Sequence, residues 1–185
     1  MERARAEDPL STIQHHGTLW TAMRSGNHEL VLREAPRVLR SAPEFAIVRW
    51  DVALSLVHED RRDEAHAVLD AAPIEKIPTI AGRVCLAMKL ALEGKQTESL
   101  ECIGDALLKC AWNVEYWSWL IAECFAVAGA QEQALEWLEN ATRRGFVHYP
   151  YLSRSRTFSA LQPNPRFQAL LSTVKATWEE MQRLA

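Results

Sequence analysis

The side chains of this 185-residue chain best suited to hold a metal, abstract a proton or attack a carbonyl are its six histidines and four cysteines. Their spacing argues against each of those uses. His15 and His16 are adjacent, so on a helix they point about 100° apart and do not share a metal easily. His58 and His66 straddle a turn, and His28 sits in another. None belongs to an HExxH, paired-cysteine or EF-hand pattern. Cys85, Cys102, Cys110 and Cys124 contain no pair with a two-residue gap. Cys102 and Cys110, eight residues apart, are expected on one side of a helix end, but no histidine base is identifiable for a thiol nucleophile. There is no glycine-rich phosphate loop and no GxSxG elbow. The run Glu59-Asp60-Arg61-Arg62-Asp63-Glu64 mixes signs and reads as a solvated turn. The expectation is a protein without metal, cofactor or catalytic centre, and attention moves to its seven tryptophans and what positions them.

Hydrophobic residues make up 48% and charged residues 24%, a balance that supports one well-cored domain. The formal net charge is −3 and the cations are scattered, so no basic stripe exists to neutralise phosphates, and a nucleic-acid partner is not expected. No run approaches 18 apolar residues, and the arginines near Met1 precede no apolar core, so neither a membrane span nor a signal peptide is expected. Residues 1–11 read as a loose leader. The cysteines then read as free thiols in a reducing compartment, with the cytoplasm as the default location.

Self-similarity supplies the organisation. Four stretches align: SGNHELV from Ser25, EDRRDEA from Glu59, EGKQTES from Glu93 and AGAQEQA from Ala128. Their second residues, Gly26, Asp60, Gly94 and Gly129, are 34, 34 and 35 residues apart, a period typical of stacked helix pairs. Each sits between two apolar segments of helical spacing, where glycine can end the first helix in a left-handed conformation. Seven residues before the turn residue lie Leu19, Ala53, Ala87 and Ala122; five residues after it lie Val31, Ala65, Ser99 and Ala134. In an antiparallel pair these positions face each other, and small side chains allow close approach. Ala35, Leu69, Ile103 and Leu138, then Val38, Ala72, Ala106 and Ala141, complete one face of the second helices.

The pattern resembles the tetratricopeptide repeat, most closely in the last unit: Ala122, Phe125, Gly129, Ala134, Leu138, Ala141. The resemblance implies an all-α fold, an α-solenoid of about four helix-turn-helix units over residues 12–45, 46–79, 80–114 and 115–148. A capping segment with a terminal helix follows at 149–185. The first-helix tryptophan usual in the family is replaced by His15, Arg49, Arg83 and Ser118, and Pro36 is expected to kink the second helix of unit one. The tail, through Phe146, Tyr149-Pro150, Leu152, Phe158, Leu161 and Pro165–Leu171, resembles the segment closing such arrays in bacterial regulatory proteins. Asn164 is placed to cap a helix starting at Pro165, with Phe167, Leu170, Leu171, Val174, Trp178, Met181 and Leu184 as its apolar stripe.

By the same resemblance the first helices line a concave groove. Its positions are Ile13, His16, Trp20 and Met23 in unit one and Ile47, Trp50, Leu54 and Val57 in unit two. Units three and four supply Ala81, Val84, Met88 and Ala91, then Tyr116, Trp119, Glu123 and Ala126. No lysine, arginine or asparagine is available there to clamp a carboxylate, whereas aromatic anchors suit an amphipathic helix or an extended apolar segment. The function implied is an adaptor or scaffold that binds another protein or peptide. A chaperone for an apolar or secreted client is the alternative, and a homodimer or larger homo-oligomer filling the groove with its own copy is the third reading. The terminal helix is a further candidate occupant of the groove.

Overall fold

The four turn residues share one backbone state: φ is 76° at Gly26, 62° at Asp60, 75° at Gly94 and 78° at Gly129. This comes from the computed structural model, which describes residues 12–184. After each of them the next amide donates to a carbonyl five residues back: Asn27 to Ala22, Arg61 to Leu56, Lys95 to Leu90 and Ala130 to Phe125, at 2.8–2.9 Å. That bond satisfies a carbonyl the ending helix would otherwise orphan and turns the chain back on itself. The elements so joined are α1 (Thr12–Arg24) with α2 (His28–Ser41), and α3 (Ala46–His58) with α4 (Arg62–Asp70). Then come α5 (Ile80–Leu92) with α6 (Gln96–Glu101) and α7 (Asp105–Ala111), and α8 (Glu115–Val127) with α9 (Gln131–Arg143). α10 (Tyr149–Arg154) and α11 (Pro165–Leu184) close the order, with 3-10 turns at Ile74–Lys76 and Ser159–Leu161. The fold is all-α, with no strand among the described residues, and its succession of helix pairs is compatible with an α-solenoid. The leader over residues 1–11 lies outside the described residues.

The small positions behave as the spacing predicts. Ala53, Ala87 and Ala122 are fully buried, as are Val31, Ala65, Ser99 and Ala134 across from them. In the third pair the facing is direct, since Ser99 Oγ donates to the Ala87 carbonyl at 2.7 Å.

Three features depart from the simple repeat. The second helix of the third unit is not continuous: α6 stops at Glu101, Gly104 turns at φ 78°, and α7 restarts at Asp105. Ile103 is still buried, but the break swings Ala106 to the surface, so the expected apolar face does not extend to it. For the same reason Cys102, in the turn just past α6, and Cys110, on α7, do not share one side of one helix end. α2 runs unbroken through Pro36; the ring is exposed, on the solvent side, where hydrogen bonds stretch most easily. Finally, the loop before α5 presses on Gly82, where an added Cβ would lie 2.4 Å from the Ile77 carbonyl oxygen.

Asn164 accepts from the Arg166 amide at 2.9 Å and starts α11 as the sequence predicts. Phe167, Leu171 and Val174 are buried, and Arg166 is tied to Glu132 and Glu139 of α9 at 3.0 and 2.9 Å. Beyond Val174 the stripe leaves the body: Trp178 is half-buried, whereas Met181 and Leu184 are 52% and 83% exposed.

Candidate functional site: an aromatic inner face occupied from within

The first helices α1, α3, α5 and α8 follow one another through the molecule, and of the expected groove positions Trp20, Trp50, Tyr116 and Trp119 meet in one aromatic cluster on their inner side. The expected positions are not open. Met23, Trp50, Leu54, Val84, Met88, Trp119 and Glu123 are fully buried, and Ile47 and Val57 nearly so. Ala91 is buried too, and Ala81 and Ala126 are half-buried. His16, Trp20 and Tyr116 are half-buried, and the side chain of Ile13 lies outside the described residues. What covers them is the chain itself, in two ways.

The first is the meeting of unit one with unit four. Trp20 packs edge-on against Tyr116 and Trp119, with centroids 4.4 and 5.1 Å away, and Trp50 meets Trp119 at 5.6 Å. Arg24 anchors the contact: its guanidinium donates to Glu115 Oε1 at 2.8 Å and lies 4.5 Å over the Trp20 ring. Such edge-to-face aromatic pairs and cation–π contacts each contribute of order 1 kcal/mol beyond area burial.

The second is the capping segment. Phe146 stacks on Trp119 at 5.4 Å, and Tyr151 of α10 meets the same indole edge-on at 5.4 Å. The Tyr151 hydroxyl lies 2.6 Å from Glu123 Oε1, which also accepts from Trp119 Nε1 at 3.1 Å. His58 Nε2, at the end of α3, lies 3.1 Å from the other side of that hydroxyl. A short helix of the chain therefore sits on the inner face with an aromatic anchor and a buried hydrogen-bond chain, Glu123–Tyr151–His58.

Burial sets the protonation of this chain. Glu123 is pushed up to about 7, chiefly by desolvation, against the opposing pull of Thr157, Tyr151 and Trp119. Its Oε2 makes no hydrogen bond of good geometry. His58 is pushed down to about 3 by burial first and then by the neighbouring His28 and Arg156. A second buried carboxylate, Asp51 on α3, has His16 Nε2 at 3.3 Å as its counter-group, outside hydrogen-bonding geometry, and burial raises its pKa. The buried Tyr116 hydroxyl is likewise without a hydrogen bond, and its pKa is raised by burial and by Asp51. Each buried polar atom left so costs about 1–3 kcal/mol, and all of these lie on the inner side of α1, α3 and α8.

The sequence does not single out Asp51, His58, Arg24, Phe146 or Tyr151 as members of this site. A lone carboxylate inside an apolar helix, as in RWDVAL and IAECFAV, is the one available signal. Glu123 follows from it as a groove position and Asp51 does not. No group of three or more potential metal ligands occurs among the described residues. The four cysteines are unpaired; burial pushes Cys85 and Cys124 well above the ordinary thiol range, while their Sγ atoms donate to the Ala46 and Val84 carbonyls. No described helix is long and apolar enough to cross a membrane. No protein-family model, curated protein or solved structure matches the chain.

Proposed function

We propose that this chain is a tetratricopeptide-like interaction module whose inner face takes a short amphipathic helix of a partner protein, in the place its own α10 occupies. The observation that carries the reading is the seating of Tyr151: an aromatic anchor against Trp119, with its hydroxyl between Glu123 and His58. A partner segment needs one aromatic with a polar tip and an apolar neighbour in the role of Leu152, which is also fully buried. The same mode serves an adaptor or a chaperone that holds an apolar client segment.

Displacement has a cost that sets the affinity. Exposing Tyr151 and Leu152 costs roughly 3–6 kcal/mol. The open face is then populated at about 10⁻² to 10⁻⁴, and the apparent affinity of a displacing helix falls by the same factor. The unpartnered polar atoms of Asp51, Tyr116 and Glu123 offset part of that, because opening returns them to water.

The test is an affinity pull-down from the native host with the wild-type chain and a Tyr151→Ala variant whose helix content is checked by circular dichroism. The expected result is a common set of proteins, recovered in larger amount by the variant. Equal recovery by both, with the variant folded, contradicts use of the inner face. It favours a second reading, docking on the outer surface, where Leu108, Trp112 and Trp137 line a mostly apolar cleft of about 520 Å³.

A further inference from the structure

Beside the inner face, and open to solvent, lies a polar cleft of about 220 Å³. It is bounded by the turn between α1 and α2, the end of α3, and the chain leaving α10. His28 and His58 stack face to face, with centroids 4.4 Å apart and planes 11° from parallel. Each ring has one nitrogen near a protein hydroxyl: His28 Nδ1 lies 3.3 Å from Ser55 Oγ, and His58 Nε2 lies 3.1 Å from Tyr151. The second nitrogen of each has no hydrogen-bonding partner among the described residues. Arg154 and Arg156 line the same cleft and are exposed, and neither guanidinium makes an ion pair with a described residue. The one acid in the lining is Glu59. The lining therefore carries two cations against one anion, together with two stacked imidazoles.

Stacked imidazoles do not both accept protons readily, since two like charges at van der Waals distance repel. Both are held neutral here: burial lowers the pKa of His28 and of His58, and the Arg156 charge lowers each further. The groups facing His28 are Glu59 at the end of α3, Arg156 after α10, and its stacking partner; Tyr151 and Glu123 stand behind His58. A dianion between the arginines would reverse the balance at His28, favouring a proton on its outer nitrogen and so a third donor. Arginine forks match tetrahedral oxyanions in geometry as well as in charge. The cleft also opens at the N-terminal end of α2, a helix of 14 residues whose dipole adds to the attraction.

We infer that this cleft is a binding site for a phosphate dianion, free or esterified, held by Arg154 and Arg156 with His28 as the responsive donor. The site shares His58, Tyr151 and Arg154 with α10 and its seat, so it is complete only while α10 is in place, and phosphate binding is measured on the free chain without any partner helix.

The probe is inorganic phosphate, added to the whole chain at constant ionic strength while the histidine ring resonances are followed by NMR. Saturable shifts of His28 and His58 are expected, with the pKa of His28 rising in the presence of phosphate. Arg156→Ala and Arg154→Ala, at exposed positions, should each weaken binding about tenfold, the loss of one charge-assisted contact. A phosphoserine peptide binding more tightly than inorganic phosphate assigns the site to a phosphorylated chain; equal binding assigns it to a small phosphate. Shifts no larger than those given by chloride overturn the inference. So does saturable binding that survives unchanged in the doubly substituted Arg154→Ala, Arg156→Ala protein.

Discussion

Replacing Glu123 with glutamine should leave the protein about equally stable in acid and stabilise it above neutrality. The carboxyl is buried between α8 and the capping segment, and desolvation raises its pKa from the ordinary 4.5 to about 7. The unfolded chain releases this proton near pH 4.5, whereas the folded chain keeps it until about pH 7. The stability from this group is thus fully present below pH 4.5 and is lost as pH rises through 7. At about 1.4 kcal/mol per pH unit, the ionised carboxylate weakens the fold by about 3 kcal/mol at pH 8. Glutamine removes that penalty while its carbonyl still accepts from Trp119 Nε1 and Tyr151, the two donors that Oε1 serves now. Its amide takes the place of Oε2, which makes no hydrogen bond of good geometry, and can donate to the nearby Thr157. Urea unfolding of both proteins at pH 5 and pH 8 reads the effect. The difference should be small at pH 5 and favour glutamine by up to about 3 kcal/mol at pH 8. A difference independent of pH, or a variant less stable at pH 8, refutes the burial argument.

Other substitutions probe the remaining parts. His58, held at about 3 against an ordinary 6.5, contributes stability that is full above pH 6.5 and lost as pH falls toward 3; His58→Gln should flatten the acid limb of the stability profile, which otherwise loses about 3 kcal/mol by pH 4. Asp60 holds φ 62° where the other units have glycine, so Asp60→Gly should raise the urea midpoint by the equivalent of about 0.5–1 kcal/mol. Gly82→Ala favours helix by about 1 kcal/mol on propensity alone, yet its Cβ would collide with Ile77 backbone and side chain; a net loss of stability above about 2 kcal/mol is expected in the same assay.

Much of the fold is legible in the sequence because its determinants are local. A left-handed turn admits glycine or a short acid, which marks Gly26, Asp60, Gly94 and Gly129, and close helix approach admits small residues, which marks Ala53, Ala87 and Ala122. The Asn164-Pro165 start of α11 is readable for the same reason. The break at Gly104 is not, since a glycine within an apolar helical pattern is compatible with a tolerated residue or a stop, and only Asp105 behind it favours the stop. The state of the inner face is less legible still. Whether Trp20 reaches Trp119 depends on small rotations summed over four helix pairs, which no single residue encodes. Tyr151 lies outside the repeat register, so no periodic position announces that it closes on Glu123 and His58. The face that spacing presents as a groove is closed partly by its own positions meeting, Trp20 against Tyr116 and Trp119, and partly by Phe146 and Tyr151, which spacing leaves out.

Hydrogen–deuterium exchange with a captured partner present tests the proposed function most directly. If a partner helix takes the inner face, amides of α10 should lose protection on binding while those of α3 and α8 keep or gain it. If α10 stays as protected in the complex as in the free chain, the inner face is core alone and the partner binds elsewhere.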